Sequence, residues 1–260
     1  MELALLKAAN ESKSINIIDL HEWYECDDCF LVIMERESPI MDLFDLVSHQ
    51  RRVPEILART IFWQVVAAIL DCHKQQVLHR DVKLENVLIS PTSLRVMLID
   101  FGCGVFLDKK PGGLFTDFAG TPQYYPPEYF VCKHYHGKSA AVYSLGVLLY
   151  AMLCGRLPYA NQRDIINGEI LWPKILKITL STQCRSLVES MMHKQPKSRI
   201  KVDDIKNHAW FKTKLKIPSG THQGDGSINA FLARIKESPF AEPFAKIDAK
   251  TLAESLVKNV

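Results

Sequence analysis

The stretch Val77-Leu78-His79-Arg80-Asp81-Val82-Lys83-Leu84-Glu85-Asn86-Val87-Leu88-Ile89 places a polar loop between two short apolar segments. Apolar, β-branched segments of this length are typical of strands or strand ends. The loop is therefore expected to stand on a rigid base and to present Asp81, Lys83 and Asn86. A carboxylate, an ammonium and an amide this close together suit phosphoryl transfer, with Asp81 orienting a hydroxyl and Lys83 neutralising the moving group.

A second acidic loop follows at Leu98-Ile99-Asp100-Phe101-Gly102, again at the end of an apolar run. Mg²⁺ is a hard cation that proteins commonly bind with one or two carboxylates together with phosphate oxygens. We therefore predict that Asn86 holds a metal ion and that Asp100 binds Mg²⁺ together with phosphate oxygens. Asp81 and Asp100 are then expected to converge across one cleft.

The order of three motifs resembles that of eukaryotic protein kinases. His79-Arg80-Asp81 with Asn86 matches the catalytic loop, Asp100-Phe101-Gly102 the metal loop, and Pro126-Pro127-Glu128 stands where the family usually has Ala-Pro-Glu. Either tripeptide alone would be a weak signal, but the three in order are a strong one. The resemblance covers about residues 1–211. It implies an α+β, kinase-like fold with ATP and Mg²⁺ as cofactors, and serine or threonine hydroxyls of proteins as acceptors.

Three further segments, at residues 35–45, 124–128 and 135–146, look like the Pim serine/threonine kinases. Ala141 stands where most kinases carry a helix aspartate, and Pim sequences share this departure. The resemblance implies that Asp81 is the catalytic base and that Lys83 stabilises the γ-phosphoryl group. Lys83, together with Thr121 in Gly-Thr-Pro, points to serine or threonine rather than tyrosine as the acceptor.

The resemblance also implies roles for residues outside the two loops. Glu35 and the neighbouring hinge backbone would hydrogen-bond adenine. Glu37 stands where Pim kinases usually have proline, and would add an N–H donor. Glu128 and Arg199 would form a buried structural ion pair. Pim kinases prefer basic substrates through an acidic cluster, of which Asp42, Asp45 and Glu85 are kept here; solvated helix charges are an equal alternative for the first two.

One part of the kinase pattern is missing. The chain contains no G-x-G-x-x-G loop and no V-A-I-K lysine, and the resemblance begins at the helix whose Glu2 would pair with that lysine. We therefore expect a truncated small lobe over residues 1–36, with one helix and about two strands. Met1 falls where an internal methionine of a longer relative could lie, which suggests a truncated gene model or an alternative start. The apolar residues that this leaves as candidates for exposure are Leu3, Leu6 and Ile33.

Periodicity and turn residues predict the remaining elements. The small lobe should contain a helix at 1–10 and strands at 14–23 and 30–35. The helical lobe, 37–211, should contain helices at 42–48, from Pro54 onwards, and at 139–154, 164–168, 181–193 and 202–208, with a long loop at 103–125. Residues 212–260 should form a linker, at 217–228, and a tail, at 229–260, which is either a docked helix or mobile.

Composition sets outer limits. The chain is 47% hydrophobic and 23% charged, with a net charge of +3, too small to predict a nucleic-acid or membrane partner. No apolar run approaches the length of a membrane span, and an acid at position 2 argues against a signal peptide. Seven scattered cysteines indicate free thiols, and the pair Cys26 and Cys29 lacks the two further ligands that zinc needs. We expect a monomer in the cytoplasm or nucleus.

Two functions stay open at this point. Intact Asp81, Lys83, Asn86 and Asp100 favour a kinase, whereas the missing glycine loop and lysine favour a pseudokinase or decoy that binds substrates or regulators through the helical lobe. Loss of a single preorganised charge-stabilising group costs roughly 10²–10³ in rate, so weak activity or none is expected of this chain. Phosphorylation at Thr116 or Thr121, with Arg80 receiving the phosphate, is as open as a loop ordered without phosphate.

Overall fold

A computed structural model of the chain describes residues 1–91, 93–107, 111–117, 119–173 and 180–213. The predicted linker and tail, at 217–228 and 229–260, lie outside the described residues. The described part is an α+β structure, in which a small N-terminal unit stands on a larger helical one. This confirms the predicted α+β fold class.

The N-terminal unit consists of α1 (Glu2–Asn10) and an antiparallel hairpin of β1 (Leu20–Glu25) and β2 (Phe30–Met34), with Trp23 opposite Val32. The prediction that the first strand starts at residue 14 was wrong. Ile17 instead bridges to Leu98, because this segment is buried against the larger unit.

The helix α1 packs towards the larger unit with the face that carries Leu5, Leu6 and Ala9, all of which are buried. The expected exposure of Leu6 was therefore wrong, and Leu3 is half-buried. The exposure predicted for Ile33 is confirmed, since 40% of this residue is accessible. Within the described residues, the hairpin is thus largely exposed, while the helix packs into the core.

Two long helices form the core of the larger unit. In α3 (Glu55–Lys74), the predicted stripe of Leu57, Ile61, Val65 and Ile69 is buried, and Pro54 lies just before the helix rather than in its first turn. α5 (Gly137–Cys154) is buried nearly all round, as predicted, although it starts two residues early. Both helices are long and apolar enough to cross a membrane, but they are the mostly buried core helices here.

Short strands hold the two acidic loops. β3 (Met41–Asp42), β5 (Val87–Ile89) and β6 (Val96–Leu98) form a three-stranded antiparallel sheet in the order β3-β5-β6. β4 (Val77–Leu78) pairs with β7 (Val105–Phe106), and β8 (Leu114–Phe115) with β9 (Tyr135–His136). The prediction of an unbroken loop at 103–125 was therefore wrong, because two-residue pairings leave no periodicity in the sequence.

The remaining helices are short. They are α2 (Leu43–Gln50), α4 (Pro127–Cys132), α6 (Gln162–Asn167), α7 (Thr182–Met191) and α8 (Ala209–Lys212). The helix predicted at 202–208 is a 3₁₀ helix over Val202–Asn207. α8 was not predicted, and its Trp210 and Phe211 pack onto Phe62 of α3.

Candidate active site

The loop after β4 is fixed by His79, which is buried. Its Nε2 donates to the backbone oxygen of Ile99 at 2.9 Å, and its Nδ1 accepts from the backbone N–H of Asp81 at 3.3 Å. The ring also packs edge-on against Phe101, with 4.9 Å between ring centroids. Burial lowers the pKa of His79, which fits a neutral ring with one donor and one acceptor. His79 thus ties the two acidic loops together.

The carboxylate of Asp81 is held by three donors. Oδ1 accepts from the backbone N–H of Thr121 at 2.8 Å, and Oδ2 accepts from Lys83 Nζ at 2.9 Å and from Asn86 Nδ2 at 3.1 Å. Burial raises the pKa of Asp81, but the hydrogen bonds from Lys83 and Thr121 outweigh it and leave the pKa below its ordinary value. Asp81 is therefore an ionised carboxylate in a fixed orientation.

Lys83 links the catalytic loop to the segment before α4. Its Nζ donates to Thr121 Oγ1 at 3.0 Å as well as contacting Asp81. Burial lowers the pKa of Lys83, but the hydrogen bond to Asp81 and the charges of Asp81, Glu85 and Asp100 raise it overall. The negative charges of Asp81 and Asp100 thus both favour the charged form of the Lys83 ammonium group. Burial raises the pKa of the Cys103 thiol, and the negative charges of Asp81 and Asp100 raise it further.

Asn86 and Asp100 present oxygen atoms that suit Mg²⁺. Asn86 Nδ2 donates to the backbone oxygen of Asp81 at 2.9 Å, which leaves Asn86 Oδ1 as an acceptor. Asp100 is exposed, and its Oδ1 accepts from the backbone N–H of Gly102 at 3.0 Å. In the described ranges no group of three or more His, Cys, Asp or Glu side chains is arranged to hold a metal ion. An ion here needs further oxygens from its ligand, as Mg²⁺ bound to phosphates has.

Glu2 lies beside the Asp100 loop. Its Oε2 would be 3.4 Å from a Cβ built on Gly102, and it has no ion-pair partner among the described residues. Leu5, one turn further along α1, would be 2.9 Å from a Cβ on Gly104. The N-terminal helix is thus seated against the metal loop, with a carboxylate that no lysine neutralises.

Two residues beside the catalytic loop, Gly120 and Asp117, were not predicted to belong to the site. Gly120 has a φ of +111°, and a Cβ there would lie 2.7 Å from the backbone oxygen of Arg80, so only glycine fits. Arg80 donates from Nη1 to Asp117 Oδ2 at 2.7 Å, which places a carboxylate where the sequence suggested a phosphate. Gly120 was visible in the Gly-Thr-Pro triplet, whereas Asp117 belongs to no motif.

The hinge acids have partners within the chain. Glu35 accepts two hydrogen bonds from Arg95, at 2.8 and 2.9 Å, and its backbone N–H donates to Asp19 at 2.9 Å. Glu37 accepts from Ser93 Oγ at 3.0 Å. Only the backbone oxygen of Glu35 is left for adenine, so its side chain has a structural role. The adenine contact of the Glu37 N–H stays a prediction.

The three acids proposed for substrate binding are placed differently. Asp42 is the N-cap of α2 and accepts from the backbone N–H of Asp45 at 2.7 Å. Glu85 is exposed and lines a groove of about 260 Å³ between α2 and the catalytic loop, together with Thr121 and Arg156. The structure thus brings Glu85 and Thr121 together, whereas Asp42 and Asp45 are not in the lining of this groove.

Glu128 and Arg199 form a bidentate ion pair. Arg199 Nη1 donates to Glu128 Oε1 at 2.7 Å and to the backbone oxygen of Ser139 at 3.2 Å. Its guanidinium lies 5.0 Å from the ring centroid of Tyr143, and only 1% of the side chain is exposed. The pair joins the start of α4 to α5 beneath the site.

Comparison with known proteins agrees with this geometry. The family model described as protein kinase domain matches residues 1–211. The chain is 38% identical over 212 residues to serine/threonine-protein kinase prk-2 of Caenorhabditis elegans, which is 82% of this chain and 47% of that protein. It is 33% identical over 237 residues to serine/threonine-protein kinase pim-2 of Danio rerio, covering 89% of this chain and 74% of the relative.

A third relative, serine/threonine-protein kinase SIK1 of Mus musculus, is 33% identical over 215 residues, which is 80% of this chain and 26% of that protein. The chain therefore spans about half of the prk-2 protein and about a quarter of SIK1. With the kinase-like α+β fold and the paired acidic loops, these matches place the chain in the protein kinase family, among its serine/threonine kinases.

Proposed function

We propose that this chain is the larger part of a Pim-like serine/threonine kinase domain, which transfers the γ-phosphoryl group of ATP to serine or threonine hydroxyls of proteins. The observation that carries the proposal is the buried network of Asp81 with Lys83, Asn86 and Thr121. Three donors, from Lys83, Asn86 and Thr121, hold the Asp81 carboxylate in a fixed orientation. Such preorganisation is what phosphoryl transfer needs from a protein.

Each residue of the network has one task in the proposed reaction. Asp81 orients the acceptor hydroxyl and takes its proton, and Lys83, which stays charged, stabilises the negative charge of the moving phosphoryl group. Asn86 Oδ1 and the Asp100 carboxylate would hold Mg²⁺. When bound, Mg²⁺ and ATP supply the phosphoryl group and neutralise charge on it. Thr121 fixes Asp81 through its backbone and Lys83 through its hydroxyl.

The proposed activity of the chain by itself is weak. No G-x-G-x-x-G loop covers the phosphates, and Glu2 has no cationic partner among the described residues, so its charge faces the metal loop. Each lost charge-stabilising element costs roughly 10²–10³ in rate, and the losses need not add. Phosphotransfer that is slow but dependent on Asp81 is the expected behaviour.

For the substrate, we propose a protein segment with a basic residue near the acceptor. This rests on Glu85, which is exposed in the groove beside Thr121. Because Asp42 is used as a helix cap and Arg156 lines the same groove, we expect a weaker basic preference than a full acidic cluster would give. A peptide array with no gain from basic residues around the acceptor would refute this.

The unpaired Glu2 carboxylate supports a second candidate function, a non-catalytic decoy that binds substrates or regulators through the helical unit. One experiment separates the two. Transfer of radiolabelled γ-phosphate to a protein mixture is measured for the chain, for Asp81→Asn, and for Asp203→Asn, an exposed acid outside the site, as control. The kinase proposal predicts turnover that Asp81→Asn reduces by about 10²–10⁴ and the control leaves unchanged. No turnover, or turnover equal in Asp81→Asn, favours the decoy.

A further inference from the structure

A wide groove opens on the helical unit where α5 begins. It has a volume of about 720 Å³ and lies between the first turn of α5 and two 3₁₀ segments, Pro196–Ser198 and Val202–Asn207. The apolar side chains that form its walls are Val142, Pro196, Ile200 and Val202. Ligand sites in proteins commonly have volumes of roughly 300–1,000 Å³ and mostly apolar walls. The groove is therefore large enough to hold several side chains of a bound peptide.

This groove is separate from the catalytic network. Its lining contains neither Asp81, Lys83 and Asn86 nor the metal-loop residue Asp100. Arg199 lies at its base, but the guanidinium of Arg199 already donates to Glu128 and to the backbone oxygen of Ser139. A ligand in the groove would thus contact neither the base nor the groups that hold Mg²⁺, and its binding does not depend on phosphoryl transfer.

The rim of the groove is basic. Lys138, Lys197 and Lys201 are exposed there, and in the part of the chain that the structure describes none of them has an ion-pair partner. Asp203 is the one acid among the described lining residues. Burial lowers the pKa of His73 at the end of α3, Lys138 lowers it further and Asp203 opposes both. Lys138 and Asp203 therefore lie at the same end of the groove, and Lys197 and Lys201 keep an uncompensated positive charge.

The start of α5 adds positive potential to the groove. His136 is the N-cap of this 18-residue helix and lines the groove, but no side chain accepts a hydrogen bond from the first turn. The free N–H groups at a helix N-terminus carry a partial positive charge of about half a unit. The helix and the two lysines thus favour the same kind of ligand, one with negative charge.

We propose that the groove binds an acidic segment of another protein, with an apolar side chain against Ile200 and Val202 and carboxylates beside Lys197 and Lys201. Charge complementarity selects the acidic residues, and the apolar walls select the side chain between them. Single-stranded nucleic acids stack their bases on aromatic rings, and no Phe, Tyr or Trp is among the described lining residues. A membrane surface takes up apolar side chains that protrude, whereas these line a recess.

The test is fluorescence anisotropy with the 260-residue chain and a labelled probe peptide in which glutamates flank a pair of leucines. We expect reversible binding that weakens with rising ionic strength, because salt screens exposed charges. Two matched peptides, one with lysines for the glutamates and one with serines for the leucines, should each bind about tenfold more weakly or worse. Asp81→Asn should bind the acidic peptide as the wild-type chain does, which separates this result from the test of the kinase reaction.

A charge reversal locates the binding in the groove. Lys197→Glu with Lys201→Glu should weaken binding of the acidic peptide on the order of tenfold or more and strengthen binding of the lysine peptide. Both lysines are exposed, so far-ultraviolet circular dichroism should stay unchanged. Lys13→Glu with Arg36→Glu, an equal charge change at two exposed residues outside the groove, is the control and should leave both affinities unchanged.

Three results would overturn the proposal. The first is an acidic peptide that does not bind, and the second is binding that the reversal of Lys197 and Lys201 leaves as strong as before. The third is a single-stranded oligonucleotide, or vesicles containing phosphatidylserine, that bind through these two lysines while the acidic peptide does not.

Discussion

The catalytic loop and the N-terminal hairpin are both built on short apolar strands, yet only the first is buried. Val77 and Leu78 of β4 and Val87 and Ile89 of β5 are at most 2% exposed, whereas four of the five residues of β2 are at least 40% exposed. The two sequences have the same local pattern. The burial of such a strand therefore depends on the elements that pack on it. These elements cannot be predicted from the strand's own residues.

The elements that pack on each strand explain this difference in exposure. β5 lies between β3 and β6, and β4 packs against α3, α5 and β7. Among the described residues, the hairpin has only α1 on one of its faces, across a groove of about 640 Å³ that Trp23, Val32 and Met34 line. We therefore expect the helical unit to respond strongly to substitution, and the hairpin to respond weakly.

The largest effect should come from the ion pair beneath the catalytic site. Arg199→Ala leaves the Glu128 carboxylate with no arginine partner in a mostly buried place and should cost roughly 3–5 kcal/mol in the free energy of unfolding. Lys74→Ala, which breaks an exposed pair with Asp71, should leave the free energy of unfolding almost unchanged. Urea denaturation of both variants checks this, and similar losses for the two would contradict the burial argument.

A matched pair of leucines tests the comparison directly. Leu5→Ala, at a residue with no exposure, should cost roughly 2–5 kcal/mol because it opens a cavity between α1 and the metal loop. Leu31→Ala, at a residue that is 55% exposed, should stay within about 1 kcal/mol in the monomer. Thermal and chemical denaturation at low protein concentration give both values. If Leu31→Ala proved the more costly, the hairpin would have a cover that the structure does not show.

The third expected effect is a pH dependence that comes from His73. Burial lowers the pKa of His73 to about 4, and in the described structure neither ring nitrogen has a hydrogen-bond partner. Lys138 lowers this pKa further and Asp203 raises it. As the pH falls below about 6.5, His73 becomes protonated in the unfolded chain but stays neutral in the folded chain. The contribution of His73 to the free energy of unfolding is therefore fully present above pH 6.5. It decreases by roughly 3 kcal/mol between pH 6.5 and 4.

The check is unfolding by urea at several pH values. His73→Leu should flatten this part of the pH profile, whereas His49→Leu, at an exposed histidine of α2, should keep the slope of the wild-type chain. An unchanged slope in His73→Leu would show that another group titrates.

Much of the site could be predicted from the sequence, because its groups come in short motifs. Asp81, Lys83, Asn86 and Asp100 lie within 20 residues and are presented by the strands that the apolar runs predicted. The long helices followed from periodicity in the same way. What failed has a common cause: β7, β8 and the pairing of Arg80 with Asp117 depend on contacts between residues far apart in the chain.

The acids show the same limit. Glu35 and Asp42 were assigned to ligands by resemblance, but Glu35 pairs with Arg95, 60 residues away, and Asp42 caps the helix that follows it. The cap could have been predicted from an aspartate preceding an apolar helix. The pairing with Arg95 could not, because no local pattern marks it. The placement of charged residues within sequence motifs could thus be predicted. The contacts of charged residues outside these motifs could not.

The central claim is the proposal that Asn86 and Asp100 bind Mg²⁺ with ATP beside the Asp81 base, in a chain whose sequence has no G-x-G-x-x-G loop. Isothermal titration calorimetry of the chain with ATP, with and without Mg²⁺, tests it most directly, with Asp100→Asn as the matched variant. We predict weak binding that requires Mg²⁺ and is lost in Asp100→Asn. ATP binding that is equally strong without Mg²⁺ and in Asp100→Asn, or no binding at all, would contradict the claim.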